Sequence, residues 1–262
     1  MSTGLIIENL SVLLGDLPVL ENFSIAVEKG EILAILGPSG CGKTTLLNVV
    51  SGLQEPTHGH LDLGGNPIGS RLGQSAYMYQ EDRLLPWRTV KENALLASEF
   101  EKNSRRRKSS ALRSLRLLKE LDLATFHHHY PKTISGGMSR RVALSRTLSV
   151  KRSVYLFDEP LSGLDYQLRL RVEEVIFREL STQGATALIV THDIETALAL
   201  ADRIILLAPR PTFIQRALDC GLARHSNSTV DARKRSGFSK LFLEILGHFD
   251  EMSDGSESNR PA

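Results

Sequence analysis

The spacing of apolar residues divides the chain into a strand-rich start, a helical block and an alternating region. Short runs of Ile, Leu and Val between turn residues predict strands. Up to about Leu63 there are three such runs, LIIENL, FSIAV and EILAILG. The last continues through a glycine-rich loop into KTTLLNVVSG, a predicted helix that ends at Gly52. One more strand is predicted in SAYMYQ, at residues 75–80.

The second half of the pattern begins with helices and ends with strands and helices in alternation. From about Thr89 to Val150 the predicted helices are TVKENALLASEF, SSALRSLRLLKELDL and GGMSRRVALSRTLSV. Beyond them, SVYLF, TALIVT and RIILLA predict strands, separated by the predicted helices QLRLRVEEVIFREL and IETALALA. Strands, a helical block and then βαβ units predict an α/β core with a helical insertion.

These patterns give the expected domain organisation. We expect one domain over residues 1–220, with a helical subdomain at about 89–150, and a tail over residues 221–262. The tail is rich in Ser, Asn and Arg, and its one amphipathic stretch, FSKLFLEILGHF, predicts one short helix. The last dozen residues have the composition of a disordered segment.

Composition narrows the class of protein without identifying it. The chain has 262 residues, 41% of them hydrophobic and 24% charged, which is ordinary for a globular protein. Its net charge of +2 gives no general affinity for nucleic acid, and no nucleic-acid partner is expected. Two cysteines without metal spacing, no secretory signal and no apolar run of about 18–20 residues predict a cytosolic chain. Any membrane role would then depend on a partner.

A glycine-rich loop follows the third predicted strand and matches the pattern G-x-x-x-x-G-K-[ST]. Successive backbone N–H groups of such a loop turn inward around phosphates. The Lys43 ammonium would neutralise the β and γ oxygens of a nucleotide, and the Thr44 hydroxyl would hold Mg²⁺. The alternative, a chance glycine-rich turn, does not explain the strand before it and the helix after it. The predicted phosphate loop consists of Gly37, Pro38, Ser39, Gly40, Cys41, Gly42, Lys43, Thr44 and Thr45.

Two carboxylates end the apolar run VYLFDEP. A buried parallel strand would deliver Asp158 to its carboxyl end, where ligands bind in such sheets, and Asp158 would then hold Mg²⁺ directly or through water. Glu159 could orient and polarise a water for attack on a γ-phosphate. The alternative is a pair of surface acids at a strand end.

A second anion-binding segment, TISGGMSRR at residues 133–141, raises the question of why one chain has two phosphate sites. Its Ser-Gly-Gly sequence begins a predicted helix, as the phosphate loop also does. A P-loop kinase or GTPase that works alone would leave this segment without a role.

In the order of its motifs the chain resembles the ATP-binding subunits of ABC transporters. The resemblance covers about residues 5–214. It rests on the phosphate loop, Gln80 after a strand, SGGMSRR, LFDEP, SGLD at residues 162–165 and THD with His192. It implies a P-loop NTPase core with an antiparallel β subdomain and a helical subdomain that contains the signature segment, residues 135–141.

The resemblance also implies a role for each motif. Gln80 would contact Mg²⁺ and the attacking water, and His192 would bind the γ-phosphate and support Glu159. Asp165 would help shape the site of the opposite subunit. Two copies would pack head to tail and bury two ATP molecules, each capped by the signature segment of the other copy. The capping residues would be Ser135, Gly136 and Gly137.

Two further segments, at residues 80–97 and 201–211, resemble importer ATPases for nitrate, alkylsulfonates, taurine and thiamine precursors. Such a subunit would lie at the cytoplasmic face of the inner membrane, bound to integral permease subunits and served indirectly by an extracytoplasmic solute-binding protein. The apolar residues 84–87, which end in Trp87, would receive a short permease helix. The alternatives are that these residues fill the core and that the chain is a soluble ABC ATPase not coupled to transport.

The chain departs from the family pattern at three positions. Leu14 stands where an aromatic residue usually stacks on adenine. Met138 and Arg140 each replace the Gln that is usual in the signature segment. In addition, Cys41 lies beside Lys43 at the start of a predicted helix, where we expect a reactive thiol that bound ATP protects.

Overall fold

The fold contains two β-sheets and a layer of helices. The computed structural model describes residues 3–64, 66–67, 72–209 and 212–257, and of residues 66–67 and 252–257 it describes the backbone alone. Its strands are β1 Thr3–Leu14, β2 Leu17–Glu28, β3 Ile32–Leu36, β4 His58–Leu63, β5 Asn66–Pro67, β6 Ser75–Met78, β7 Val154–Asp158, β8 Thr186–Val190, β9 Arg203–Leu207 and β10 Ile214–Asp219. Its helices are α1 Lys43–Ser51, α2 Val90–Glu99, α3 Ser104–Glu120, α4 Gly136–Ser149, α5 Tyr166–Gln183, α6 Ile194–Leu200, α7 Leu222–Ser226, α8 Thr229–Ala232 and α9 Ser236–Glu257.

The larger sheet has six strands in the order β10-β9-β3-β8-β7-β6. All neighbours in it are parallel except β10, which pairs antiparallel with β9. Every residue of β3, β7 and β8 is buried, as expected for parallel strands covered on both faces. The carboxyl ends of β3, β6, β7 and β8 therefore meet at one edge, and each leads directly into a predicted motif.

The smaller sheet is antiparallel, in the order β2-β1-β4-β5. Its inward residues share one apolar cluster with α1 and with one face of β3. A second cluster covers the opposite face of the larger sheet and includes apolar residues of α2, α3, α4, α5 and α6. The predicted P-loop core, antiparallel β subdomain and helical subdomain are thus confirmed.

The helical block consists of α2, α3 and α4, which pack against one another. The Ser114 hydroxyl donates to the Ala94 carbonyl over 2.8 Å, and the Ser145 hydroxyl donates to the Ser114 carbonyl over 3.1 Å. Helix α3 begins five residues before its predicted start. The reason is Asn103, whose side-chain oxygen accepts from the backbone N–H groups of the first turn and caps the helix.

The tail differs from the prediction of one short helix. It forms α7, α8 and α9, and α9 spans 22 residues. Ala232 and Ile245 are fully buried and belong to the main apolar cluster, and the three helices pack against α5 and α6. Residues 251–257, expected to be disordered, continue α9, whereas residues 258–262 lie outside the described residues.

Candidate functional site

The phosphate loop connects β3 to α1 and takes a backbone path that requires glycine. Gly40 and Gly42 have φ angles of 79° and 102°, in the left-handed region that side chains disfavour. A Cβ at Gly42 would lie 2.8 Å from a methyl carbon of Val19, and one at Gly37 would lie 2.9 Å from the Leu207 carbonyl oxygen. Packing below the loop therefore fixes its shape.

Lys43 is the first residue of α1, and its side chain folds back across the phosphate loop. The ammonium group donates to the carbonyl oxygens of Gly37 and Pro38, each over 2.8 Å. A positive charge is thereby held at the mouth of the loop, beside the N-terminus of a helix, where anions are favoured.

Thr44 and Asp158 meet between α1 and the end of β7. The Thr44 hydroxyl donates to a carboxylate oxygen of Asp158 over 2.8 Å. Burial raises the pKa of the Asp158 carboxyl, although the Thr44 hydrogen bond and the nearby charges of Lys43 and Arg140 oppose this shift. A hydroxyl and a desolvated carboxylate are oxygen ligands of the kind that Mg²⁺ prefers, so this pair fits the predicted metal.

Glu159 follows β7 in an unusual conformation for a residue with a side chain, with a φ angle of 51°. Its N–H donates to the Val190 carbonyl over 2.9 Å, which holds it against β8. One carboxylate oxygen lies 2.9 Å from Nδ1 of His192. The glutamate side chain is 12% exposed and the imidazole 75% exposed, so the pair extends from the sheet edge to the surface.

An open cavity of about 590 Å³ brings the phosphate loop together with three other predicted residues. Gln80, Glu159 and His192 line it together with Lys43. Leu246 and Phe249 of α9 also line it, and nothing in the local sequence of the tail predicts this approach. The full lining is Gly37, Pro38, Ser39, Lys43, Gln80, Glu159, Ser162, His192, Ile194, Leu246 and Phe249.

The signature segment lies elsewhere on the chain. Ser135 is the N-cap of α4, and its hydroxyl accepts from the Met138 N–H over 3.2 Å. Ser135 and Gly136 are exposed, and neither they nor Gly137 are among the described residues that line the phosphate-loop cavity. Asp165 likewise caps a helix, because its carboxylate accepts from the first turn of α5 over 3.0 Å.

Residues 84–87 lie in the loop between β6 and α2, where Leu84 is partly buried and packs against the core, whereas Pro86 and Trp87 are exposed. Trp87 is 71% exposed, so the alternative that it fills the core is wrong. Asn93, fully buried in α2, holds this loop. Its side chain accepts from the Leu85 N–H over 2.7 Å and donates to the carbonyl oxygens of Leu85, Arg88 and Thr89. Trp87 is thus exposed on a loop that is held in place by hydrogen bonds from Asn93.

The structure corrects the expected reactivity of Cys41. Its side chain is 2% exposed and belongs to the apolar cluster beneath the phosphate loop. Thr212, also fully buried, donates from its hydroxyl to the Cys41 carbonyl and from its N–H to the Val19 carbonyl. The Cys41 sulfur lies 3.8 Å from the Lys43 ammonium, as predicted, but its burial shields it from a reagent in solution. Leu14, where the resemblance implies an aromatic residue, lies half-exposed at the β1–β2 turn.

A phosphate loop, a carboxylate pair and a glutamate–histidine contact at the edge of a parallel sheet define a P-loop nucleotide-binding site. A family model described as "ABC transporter" matches residues 20–162. The aliphatic sulfonates import ATP-binding protein SsuB 1 of Rhodococcus jostii is 42% identical over 192 residues, covering 73% of this chain and 74% of that protein. The taurine import ATP-binding protein TauB of Jannaschia sp. is 34% identical, with 96% of each chain covered.

A solved structure agrees with these relatives. The ATP-binding cassette MJ0796, in a dimeric post-hydrolysis state bound to ADP and Pi, superposes with a TM-score of 0.72 at 26% identity. The match covers 82% of this chain and 98% of that one. The chain therefore belongs to the ABC transporter family and is an ATPase of its ATP-binding class. In the part that the structure describes, no helix is both long and apolar enough to span a bilayer.

Proposed function

We propose that two copies of this chain bind two ATP molecules head to tail and drive the import of a small solute through integral permease subunits. The observation that carries the proposal is the separation of two anion-binding elements. One is the phosphate-loop cavity, and the other is the exposed N-terminus of α4 at Ser135 and Gly136. A second copy brings them together, since a two-fold arrangement pairs each loop with the other copy's signature segment.

Within one site, each residue has a distinct task. Lys43 neutralises the β- and γ-phosphates, and the backbone N–H groups of residues 37–45 surround them. Thr44 and Asp158 would hold Mg²⁺, with Gln80 nearby. The metal, when bound, neutralises charge on the phosphate oxygens.

The hydrolytic water is oriented by this chain's own carboxylate. Glu159 accepts a hydrogen bond from the water that attacks the γ-phosphate, and His192 orients the carboxylate through their contact at 2.9 Å. The opposite copy then closes the site. Its Ser135 hydroxyl and Gly137 N–H bind the γ-phosphate, and its Asp165 lies beside them.

Transport requires a surface that transmits closure of the dimer. The exposed loop with Trp87 follows Gln80 directly, so a permease helix on Trp87 would be linked to the γ-phosphate by a few residues.

An assembly of this kind holds the chain at the cytoplasmic face of the membrane. An extracytoplasmic binding protein would supply a solute such as an alkylsulfonate, taurine, nitrate or a thiamine precursor. The names of the relatives favour the first two.

Replacing Lys43 tests the ATPase part of the proposal. Lys43→Ala should lower ATP turnover to background, because the phosphates lose their counter-charge. Lys151→Ala, at an exposed position after α4, is the matched control and should retain the parental rate. Parental turnover in Lys43→Ala would refute the phosphate-loop assignment.

Co-purification separates transport from a soluble ABC ATPase. An integral membrane protein retained with the tagged chain in mild detergent supports the importer. Retention of ribosomes or nucleic acid alone would favour the soluble alternative.

A further inference from the structure

Arg140 lies in α4 and makes more polar contacts with the ends of β6 and β7 than any predicted site residue. Its side chain is 4% exposed. Nε donates to the Pro160 carbonyl over 3.2 Å, and Nη2 donates to the carbonyl oxygens of Asp158, over 2.9 Å, and Glu159. Nη1 donates to the carbonyl oxygens of Tyr79 over 3.0 Å and Gln80 over 2.7 Å.

These carbonyl groups belong to the two segments that present Gln80 and Glu159 to the cavity. Strands β6 and β7 are parallel neighbours, with Met78 opposite Phe157, so their chains leave the sheet side by side. The ladder between β6 and β7 ends at this pair. One planar guanidinium with five N–H donors satisfies both sets at once.

The backbone of Glu159 needs such support. Its φ angle of 51° is disfavoured for any residue with a Cβ and persists only where surrounding contacts enforce it. The N–H donates to the Val190 carbonyl, and the carbonyl accepts from Arg140 and from the N–H and hydroxyl of Ser162, so both polar groups of the residue are fixed. The direction of the carboxylate follows from this backbone.

We propose that Arg140 is a positioning residue. It fixes Glu159 and Gln80 relative to each other and connects both of them to helix α4, which carries the signature segment. Helix α4 begins at Gly136. The same helix therefore carries both the signature segment that would face the opposite copy and the Arg140 side chain that holds Glu159 of its own copy. The inference rests on the proposed function and extends it, because it gives a physical connection between the two ATP sites of a dimer.

Arginine is required here for its shape as well as its charge. The only carboxylate paired with the guanidinium in the described structure is Asp82, at 2.9 Å from Nη1 and 23% exposed. A lysine at this position keeps the charge for Asp82, but its compact ammonium has three donors and reaches fewer of the five carbonyl oxygens. A glutamine offers two donors and no charge.

The test compares Arg140→Lys and Arg140→Gln with Arg146→Gln. Arg146 is the matched control because it also lies in α4 and donates to the carbonyl oxygens of Asp82 and Arg83 in the same loop, over 2.7 and 3.0 Å, without reaching β7. Steady-state ATP hydrolysis gives kcat and KM, and a fluorescent ATP analogue gives Kd. Circular dichroism melting reports folding.

Arg140→Lys should fold and lower kcat on the order of tenfold, because a misplaced catalytic group loses rate steeply. KM and Kd should stay within about twofold of the parent, since the contacts of the Lys43 ammonium and the Thr44 hydroxyl use none of the carbonyl groups that Arg140 holds. Arg146→Gln should keep its kcat. Arg140→Gln should lose at least as much rate. Parental kcat in Arg140→Lys, or a rise in KM and Kd equal to the loss of kcat, would overturn the inference. If the parent chain hydrolyses no ATP, or hydrolyses it no faster than Lys43→Ala does, the proposed function itself is refuted.

Discussion

Nδ1 of His192 lies 2.9 Å from a carboxylate oxygen of Glu159, although the two residues are 33 positions apart. The parallel register explains this contact. Asp158 pairs with Val190 at the ends of β7 and β8, so the next residues of both strands leave the sheet at the same point. The contact is therefore a product of the fold and places an imidazole against the carboxylate proposed to orient water.

Replacing His192 should separate catalysis from binding. His192→Ala should lower kcat by about tenfold or more and change the Kd for ATP little, because the phosphate loop is untouched and only the orientation of Glu159 is lost. His60→Ala, at an exposed position on β4, is the control. Turnover of His192→Ala at the parental rate would show that the contact has no catalytic role.

Trp87 provides a test of the permease surface. Trp87→Ala should reduce co-purification of the membrane subunit about tenfold, since a buried aromatic anchor contributes at least 1–2 kcal/mol at such sites. Phe100→Ala is the control, because Phe100 is 77% exposed and lies at the end of α2, outside this loop. Equal retention of the membrane subunit by both variants would place the docking surface elsewhere.

An ion pair between Arg233 and Glu173 connects the tail to helix α5. The guanidinium of Arg233 lies 2.8 Å from the fully buried carboxylate of Glu173, which also accepts from the Thr196 hydroxyl over 2.9 Å. Arg233→Met should lower the free energy of unfolding by about 3–5 kcal/mol at neutral pH, because a buried charge is left unpaired. Urea unfolding measures this loss, and adding Glu173→Gln should recover most of it.

The loss of unfolding free energy in Arg233→Met should become smaller as pH falls. Burial raises the pKa of Glu173 in the folded chain even with Arg233 present, and without Arg233 it rises further. The folded state then binds a proton that the unfolded state does not, so the deficit of Arg233→Met shrinks as pH falls through the folded pKa. A deficit that is independent of pH would mean that Glu173 is not left charged.

The features predicted correctly are those encoded by adjacent residues. The buried runs of β3, β7 and β8 and the helix that ends at Gly52 follow from local apolar patterns. Strand β4 was missed because its first residues, His58 to His60, are polar and exposed. Strand β10 was missed because it lies at the sheet edge with mostly exposed side chains.

The features that could not be predicted depend on contacts between residues far apart in the sequence. The guanidinium of Arg140 meets a carbonyl 60 residues away, and the Thr212 hydroxyl meets one 171 residues away. No local pattern indicates either contact. The burial of Cys41 and the approach of Phe249 to the cavity have the same origin, since each results from how separate elements pack.

The central claim is that the signature segment of one copy completes the ATP site of another. The position best suited to test it is Gly136. A Cβ there would meet no atom within 4 Å, and the residue is exposed, so Gly136→Glu fits the single chain. In a head-to-tail dimer the added carboxylate would face the γ-phosphate and repel it. Glu159→Gln should keep the shape of the site and stop turnover, so that an ATP-bound dimer accumulates.

The decisive measurement is the molar mass in solution of Glu159→Gln with Mg-ATP, with and without Gly136→Glu, by light scattering after size exclusion. We expect a dimer for Glu159→Gln and a monomer for the double variant, with ATP at saturating concentration for both. A dimer in both variants, or a monomer in both at saturating ATP, would contradict the account.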